Sequence, residues 1–395
     1  MQERRGAVSC HSERTDLGWW WAGIRRAAVG AAAAVGVSAA VMLAFADPAE
    51  AGSPPSPVFC SQTQSGCIPQ AGPVSNPSAG ISGSTQRQIE QRLQQLRCEG
   101  SDDPACAGSG GAAADAASFE GLGVFVSAGY EFKDKEGTDT ELGFTSDSIG
   151  PTVGVDYRLS DDMVIGGAFS WRHAFGDYDD GYGDFDTDTF TFLFFGSYYP
   201  TDQSFIDAAL GFGHKEFDND HLDPGGTGNI VRGNTSGFDF TADLTGGYDF
   251  SFGAFTVGPR IGIHYERNEL NSFTETGNPA ANLVAYDDQT DDSLTGTVGV
   301  QASYAISTSF GVVVPQVNAE YVREFLDDRE TYTATDGGGT FSYVGDQPDR
   351  NHFNVGGGVV VLLPNGVFPF INYEAELANY LQETHTVTAG VRLEF

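Results

Sequence analysis

Residues 237–250, GFDFTADLTGGYDF, alternate without a break. Phe238, Phe240, Ala242, Leu244, Gly246, Tyr248 and Phe250 fall on one side. Asp239, Thr241, Asp243, Thr245 and Asp249 fall on the other. Successive side chains of a strand point to opposite faces, so this segment is a strand with one apolar and one polar face. The same pattern continues downstream, where Ile261, Ile263 and Tyr265 oppose Arg260, Gly262, His264 and Glu266. At the C-terminal end Val387, Ala389, Val391, Leu393 and Phe395 oppose Thr386, Thr388, Gly390, Arg392 and Glu394. A soluble sandwich alternates too, so the connections must decide.

Twelve strands are predicted, beginning near Gly121, Ser148, Met163, Phe185, Gln203, Arg232, Ala254, Gln289, Gly311, Asp349, Val367 and Thr384. Every second connection is a short turn: LSDD, PTDQ, SFG, STSF and PNG. The others, 133–147, 176–184, 218–231, 271–288, 326–348 and 378–383, are long and polar. Short turns on one side and long loops on the other, with an even strand number, describe a transmembrane β-barrel with both termini in the periplasm. Strands of about ten residues or more match a tilted crossing. Hydrocarbon offers no partner to a free strand edge, which forces closure. The fold class expected for residues 119–395 is thus all-β, a twelve-stranded antiparallel barrel.

Composition agrees. The 395 residues carry 54 Asp+Glu against 20 Lys+Arg, a formal charge of -34, which rules out a nucleic-acid partner. A 40% hydrophobic content hides no helical membrane bundle. Glycine (52), Phe (29) and Tyr (15) suit strands, tight turns and aromatic girdles.

Upstream of the barrel, Arg25 and Arg26 precede an apolar run over 27–46, followed by Ala49-Glu50-Ala51. This reads as a secretory signal peptide, 1–51, cleaved after Ala51 or after Ala46. The competing reading is a membrane-anchoring helix. Residues 52–118 are rich in Pro, Gly and Ser and hold Cys60, Cys67, Cys98 and Cys106, while Cys10 leaves with the signal peptide. An even set in an exported chain predicts two disulfides of open connectivity. Zinc is the alternative, though the spacings are wide and no histidine lies nearby. Within this segment, 84–98 places Ile89, Leu93 and Leu96 on one stripe of a short helix, capped by Ser84 or Thr85. Arg87, Arg92 and Arg97 make that helix basic in an acidic chain.

The barrel's polar face includes Asp239, Asp243, Arg260, His264, Glu266, Glu374, Glu376 and Arg392. It is either a solvated wall stitched by cross-strand salt bridges or a channel that accepts the cationic helix as a plug. The aspartate-dense 176–188 reads as an acidic extracellular loop. A calcium loop is the alternative, but the closing Glu and spacing of an EF-hand are missing. No G-x-S-x-G or GDS-type serine occurs in the short N-terminal region, and the histidines of the mature chain are scattered, so no enzyme and no cofactor or metal is expected.

From GVFVSAGYEFKDKEG to VRLEF the sequence resembles the autotransporter β-domain. The segments that carry the likeness include GPTVGVDYRLSDDMVIGGAFSW, GGYDFSFGAFTVGPRIGIHYER, SFTETG, STSFGVVVPQVNAEYVREF and VLLPNGVFPFINYEAEL. YVREF departs from the aromatic-His-Glu-Phe often found there. The resemblance implies an outer-membrane barrel, a helix held inside it, and a terminal strand, Val391, Leu393 and Phe395, read by the outer-membrane assembly machinery. Members usually carry a long passenger, often a β-helix, whereas 52–118 is short and shows no such repeat. The expected function is a translocator or anchor pore for that short segment, with an adhesin-like or porin-like barrel as the alternative. The expected partners are outer-membrane lipid, lipopolysaccharide and the assembly machinery, with the chain as a monomer.

Overall fold

The computed structural model describes residues 121–395, apart from residues 139, 224–226 and 327. The signal peptide 1–51, the four cysteines Cys60, Cys67, Cys98 and Cys106, and the helix 84–98 with Arg87, Arg92 and Arg97 lie outside the described residues.

Twelve long strands form the wall. They are β1 (Leu122–Lys135), β2 (Phe144–Ser160), β3 (Met163–Tyr178) and β4 (Gly183–Thr201). Next come β5 (Ser204–Leu222), β6 (Ile230–Tyr248), β7 (Phe255–Leu270) and β8 (Gln289–Tyr304). The ring is completed by β9 (Val312–Glu324), β10 (Asn351–Leu362), β11 (Val367–Leu377) and β12 (Gln382–Glu394). Each pairs antiparallel with its neighbours in sequence, and β1 pairs with both β2 and β12, so the ring closes with no free edge. The alternation placed every strand within a few residues of where it starts.

Parity follows the closed wall. On the outer side Val153, Val155, Leu244, Ile261, Ile263 and Leu393 are exposed, and Phe240 and Val391 are partly so. On the inner side Ser127, Thr152, Asp156, Ser170, Thr191, Asp207, Asp239 and Thr388 are buried. This is a globular protein turned inside out, which is stable only where the outer medium is hydrocarbon.

Several inner aromatics lie directly across from glycine on the next strand. Phe125 faces Gly154, Phe195 faces Gly166, Phe185 faces Gly176 and Phe205 faces Gly247. In each case a Cβ on the glycine would run into the ring. The ring therefore lies flat over bare backbone, covering a stretch that has no side chain of its own.

The outer face of β3 to β6 locates the membrane boundary. His173, Asp188, Glu216 and Ser236 stand in one register row across these strands. The next row down is Trp171, Phe190, His214 and Phe238, and the one below it is Phe169, Phe192, Phe212 and Phe240. Trp171 Nε1 donates to Asp188 Oδ1 at 2.9 Å, tying girdle to polar row. Above this line the pattern inverts. Asp184, Asp186, Asp218 and Asp220 point out, while Phe185 and Phe217 are buried inside. Water now lies outside, and something apolar must lie within.

That something is built from loops. The connections at 136–143, 179–182, 223–229 and 378–381 are short because the strands run on past the membrane line. The aspartate-dense 176–188 is accordingly mostly strand, its acids projecting outward, rather than the loop expected. Loops 271–288 and 325–350 fold together. Phe273–Thr274, Ala285–Tyr286, Thr331–Asp336 and Gly339–Val344 make a separate four-stranded sheet.

Candidate functional site

The inner wall is joined strand to strand by charge pairs. Lys215 Nζ on β5 is 2.5 Å from an Asp239 oxygen on β6, with both side chains buried, and it also donates to Asn268 Oδ1 on β7. His264 Nδ1 on β7 is 2.6 Å from Asp243 Oδ1, and its Nε2 lies 3.7 Å from Glu266. Both ring nitrogens thus face carboxylates. Arg260 Nη1 on β7 reaches Glu320 on β9 at 3.4 Å. Arg392 on β12 bridges to Asp156 on β2 at 3.1 Å and lies 5.6 Å over the Phe368 ring. Glu376 on β11 accepts from Asn379 Nδ2 at 2.5 Å and Gln382 Nε2 at 3.1 Å, with His352 3.7 Å away. Glu374, two residues before Glu376 on the same strand, is half-buried. Among the described residues no His, Cys, Asp and Glu group could hold a metal ion.

At the extracellular end the lining changes from charged to aromatic. Phe144, Tyr178, Phe185, Phe217 and Leu270 come from β2, β3, β4, β5 and β7. They pack against Val284, Tyr286, Tyr332, Ala334 and Tyr343 of the loop sheet in one buried cluster. Phe273 stacks on Tyr286 at 4.9 Å, and Tyr332 meets Tyr343 at 5.3 Å. The loop sheet is therefore a cap seated in the mouth, with its own core shared with the wall.

Polar contacts pin the cap around the rim. His221 Nε2 on β5 is 2.7 Å from Glu275 Oε1, both fully buried, and Tyr182 stacks on the imidazole at 5.3 Å. The other Glu275 oxygen accepts from Val284 N at 3.0 Å. Thr276–Gly277 adds a short strand to β6. On β8, Asp291 accepts from Tyr332 Oη at 3.0 Å, and Gln289 Nε2 donates to Tyr343 Oη at 3.3 Å. Across the ring, Lys135 Nζ at the end of β1 lies 2.6 Å from Glu141 and 2.8 Å from Asp346. Asp346 also accepts from the hydroxyls of Thr138 and Thr140.

The latch at Asp346 has a defined pH response. Burial pushes this carboxyl up, but the Lys135 ammonium and the two threonine hydroxyls outweigh it and hold it below its ordinary value of 3.8. Glu141 goes the other way, raised by burial despite Lys135. A carboxyl lowered in the folded state stabilises above its unfolded value, and that stability is lost as pH falls through the folded value. Glu141, being raised, contributes in the opposite sense, so it gives no reason for release in mild acid. The hairpin Thr331–Val344 should therefore resist limited proteolysis at neutral pH and in mild acid, and become cleavable only once the pH falls below the ordinary aspartate value of 3.8. Asp346→Asn should make it cleavable at neutral pH. Release already at mild acidity would show that another group governs the latch.

Sequence reasoning did not identify the cap, Lys215, or the His221–Glu275 and Lys135–Asp346 contacts. One signal was there to read: TYTATD and GTFSYV flank Gly337 and Gly338 as two alternating runs around a glycine turn, a hairpin pattern.

A closed twelve-stranded barrel with an apolar outer band, a charge-paired interior and one short-turn rim is an outer-membrane β-barrel. The family described as the autotransporter beta-domain matches residues 124–374, and the chain belongs to that family. Its fold is similar to the translocator domain of the autotransporter NalP from Neisseria meningitidis (TM-score 0.60, 16% identity, covering 81% of this chain and 100% of that one). It is likewise similar to the β-domain of the Bordetella autotransporter BrkA (TM-score 0.52, 15% identity, 70% and 100%). Among curated proteins, Lipase 1 of Photorhabdus luminescens is 22% identical over 262 residues, 62% of this chain and 38% of the relative. YaiT, a putative uncharacterized protein of Escherichia coli K12, is 28% identical over 193 residues, 47% and 19%. The chain thus spans well under half the length of either curated relative.

Proposed function

We propose that this barrel is the translocator and membrane anchor of the residues that precede it, 52–118, after removal of a signal peptide over 1–51. The observation that carries the reading is the way the chain joins the barrel. The Gly121 carbonyl accepts from Arg158 N at 2.9 Å, which fixes the first described residue at the short-turn rim where β12 also ends. A helix over 84–98 would be about 22 Å long, close to a hydrocarbon core. Arg87, Arg92 and Arg97 on it would face an inner wall rich in carboxylates, Asp239, Asp243, Glu374 and Glu376 among them, the first two also engaged by Lys215 and His264. Two disulfides among Cys60, Cys67, Cys98 and Cys106 would make the segment compact. A photo-crosslinking residue in place of Thr241, which is buried on the inner face of β6, tests this. Adducts to 84–98 peptides are expected. A folded barrel that yields no adduct to any part of 52–118 would overturn the reading.

The name of one relative gives it a lipase activity. We do not extend that activity to this barrel, where His264 turns both nitrogens to carboxylates. An adhesin-like barrel is the second reading, favoured by the folded, acid-rimmed cap. Lipopolysaccharide and lipid would surround the wall, and the chain would act as a monomer.

The last strand supplies a further prediction. Phe395 is half exposed, and its backbone N–H reaches the Leu122 carbonyl at 3.1 Å. Deleting Phe395 should leave protein in the periplasm by removing the terminal aromatic that the assembly machinery would read. Fractionation and heat-modifiable gel migration measure this, and normal outer-membrane levels would remove the proposed role of Val391, Leu393 and Phe395.

A further inference from the structure

We propose that the paired loops 271–288 and 325–350 are a gate that seals the barrel from the outside, so that nothing passes the mouth until the cap is displaced.

The argument rests on where the cap is anchored and how. Its fixings run around the ring from Lys135 on β1 to Gln289 and Asp291 on β8. Between these points Phe144, Tyr178, Phe185, Phe217 and Leu270 turn inward to meet it. Four of those side chains are wholly apolar and the fifth is the phenol ring of Tyr178, all at the level where the outer face of the strands has become acidic. A water-filled mouth would leave them wet. The inverted pattern is satisfied only with the cap seated. A loop that merely overhung the rim would need none of them.

The cap is also separable. Its strands pair with one another in a sheet of their own, and the join to the wall is made by side chains, by the two-residue strand Thr276–Gly277 and, at the roots of the two loops, by Asn271 N to Ser236 O and Phe325 N to Leu294 O. The barrel's ladder of main-chain hydrogen bonds therefore survives undocking. What undocking must break is the aromatic cluster, the clasps His221–Glu275 and Lys135–Asp346, the Tyr332–Asp291 and Gln289–Tyr343 hydrogen bonds and the short Thr276–Gly277 pairing. Elements held by side-chain contacts while the scaffold stays paired are the ones that open locally. The proposal deepens the translocator reading: the cap would hold back the preceding segment as well as solutes. It does not depend on that reading, because a barrel with any cargo, or none, would be closed by it.

The test uses the full chain in whole cells. Thr187 is buried on the inner face of β4, one inward position below Phe185, and Asp188 beside it points outward at the membrane line. Thr187→Cys and Asp188→Cys are each challenged from outside with a membrane-impermeant maleimide and read by mass, against the parent chain as control for its own cysteines. With the cap intact, Asp188→Cys should react and Thr187→Cys should not. Replacing Thr331–Val344 by a short Gly-Ser turn should make Thr187→Cys react, the rate rising by about a hundredfold or more given what buried aromatic rings contribute. If the deletion fails to fold, Tyr332→Ala/Tyr343→Ala serves instead, with heat-modifiable migration reporting the intact barrel. Reaction of Thr187→Cys with the cap in place overturns the gate. So does a Thr187→Cys that stays protected after cap removal while Asp188→Cys reacts, since something other than the cap would then be the seal. Neither outcome bears on the Thr241 crosslink, which reports the 52–118 segment separately.

Discussion

Lys215→Met should cost about 3–5 kcal/mol, the usual penalty for removing one member of a buried ion pair. Lys215 is wholly buried, its ammonium 2.5 Å from Asp239, which is buried as well. Methionine keeps the length and the apolar stem but leaves a carboxylate with no counter-charge at that point in the wall. Asn268, which accepts from the same ammonium, loses its donor too. Urea unfolding of the folded protein in lipid vesicles measures the loss. The double variant Lys215→Met/Asp239→Leu should recover most of it, because the cost lies in the stranded charge rather than in a strong net attraction. A single variant as stable as the parent would mean that water reaches the pair freely and that the lumen is open at this level.

The second large effect belongs to the opposite face. Leu244 on β6 points outward and is half exposed, and its neighbours on that face are Ile263 on β7 and Ala208 on β5. Leu244→Arg puts a guanidinium in hydrocarbon and should cost about 2–4 kcal/mol. Thr245→Arg, one residue along, turns inward among polar side chains and should cost much less. The two measured side by side in the same vesicles separate membrane from water as the outer medium. Equal costs, or a barrel that folds without detergent or lipid, would defeat the membrane reading.

The contrast between these two positions was legible in GFDFTADLTGGYDF itself. Strand number, strand starts and the side with short turns followed from alternation and turn chemistry, because both are local properties of the chain. The cap was not legible for a physical reason. Its sheet joins Ala285–Tyr286 to Thr331–Asp336 across a stretch that contains β8 and β9. No local pattern announces a partner that far away, although the hairpin around Gly337 and Gly338 was readable. The acids of 176–188 misled for another reason. Within the membrane an outward aspartate would be excluded, so aspartate reads as loop. Above the membrane line the same strand stands in water on its outer side, and aspartate becomes an ordinary outward residue. The inner-face charges were visible as a set, but their pairing was not. Lys215 with Asp239, and Arg260 with Glu320, depend on register and on the curvature of the closed ring, which alternation leaves undetermined.

Asp156 and Arg392 are 236 residues apart in sequence. Between them stands β1, and the bridge arches over Gly123, where a Cβ would meet both the carboxylate oxygen and the guanidinium at 2.5 Å. The contact therefore spans the seam at which the last strand finds the first. No hairpin, and no curled sheet still open at that seam, contains it. An interaction absent from every open form cannot hasten the approach of the two edges; its free energy acts on the rate of parting. Weakening it by Arg392→Gln should leave the time course of insertion nearly unchanged while shortening the lifetime of the finished ring. The bridge is a ratchet on circularisation: it makes the final step hard to reverse, and Gly123 is the clearance through which the ratchet's tooth drops.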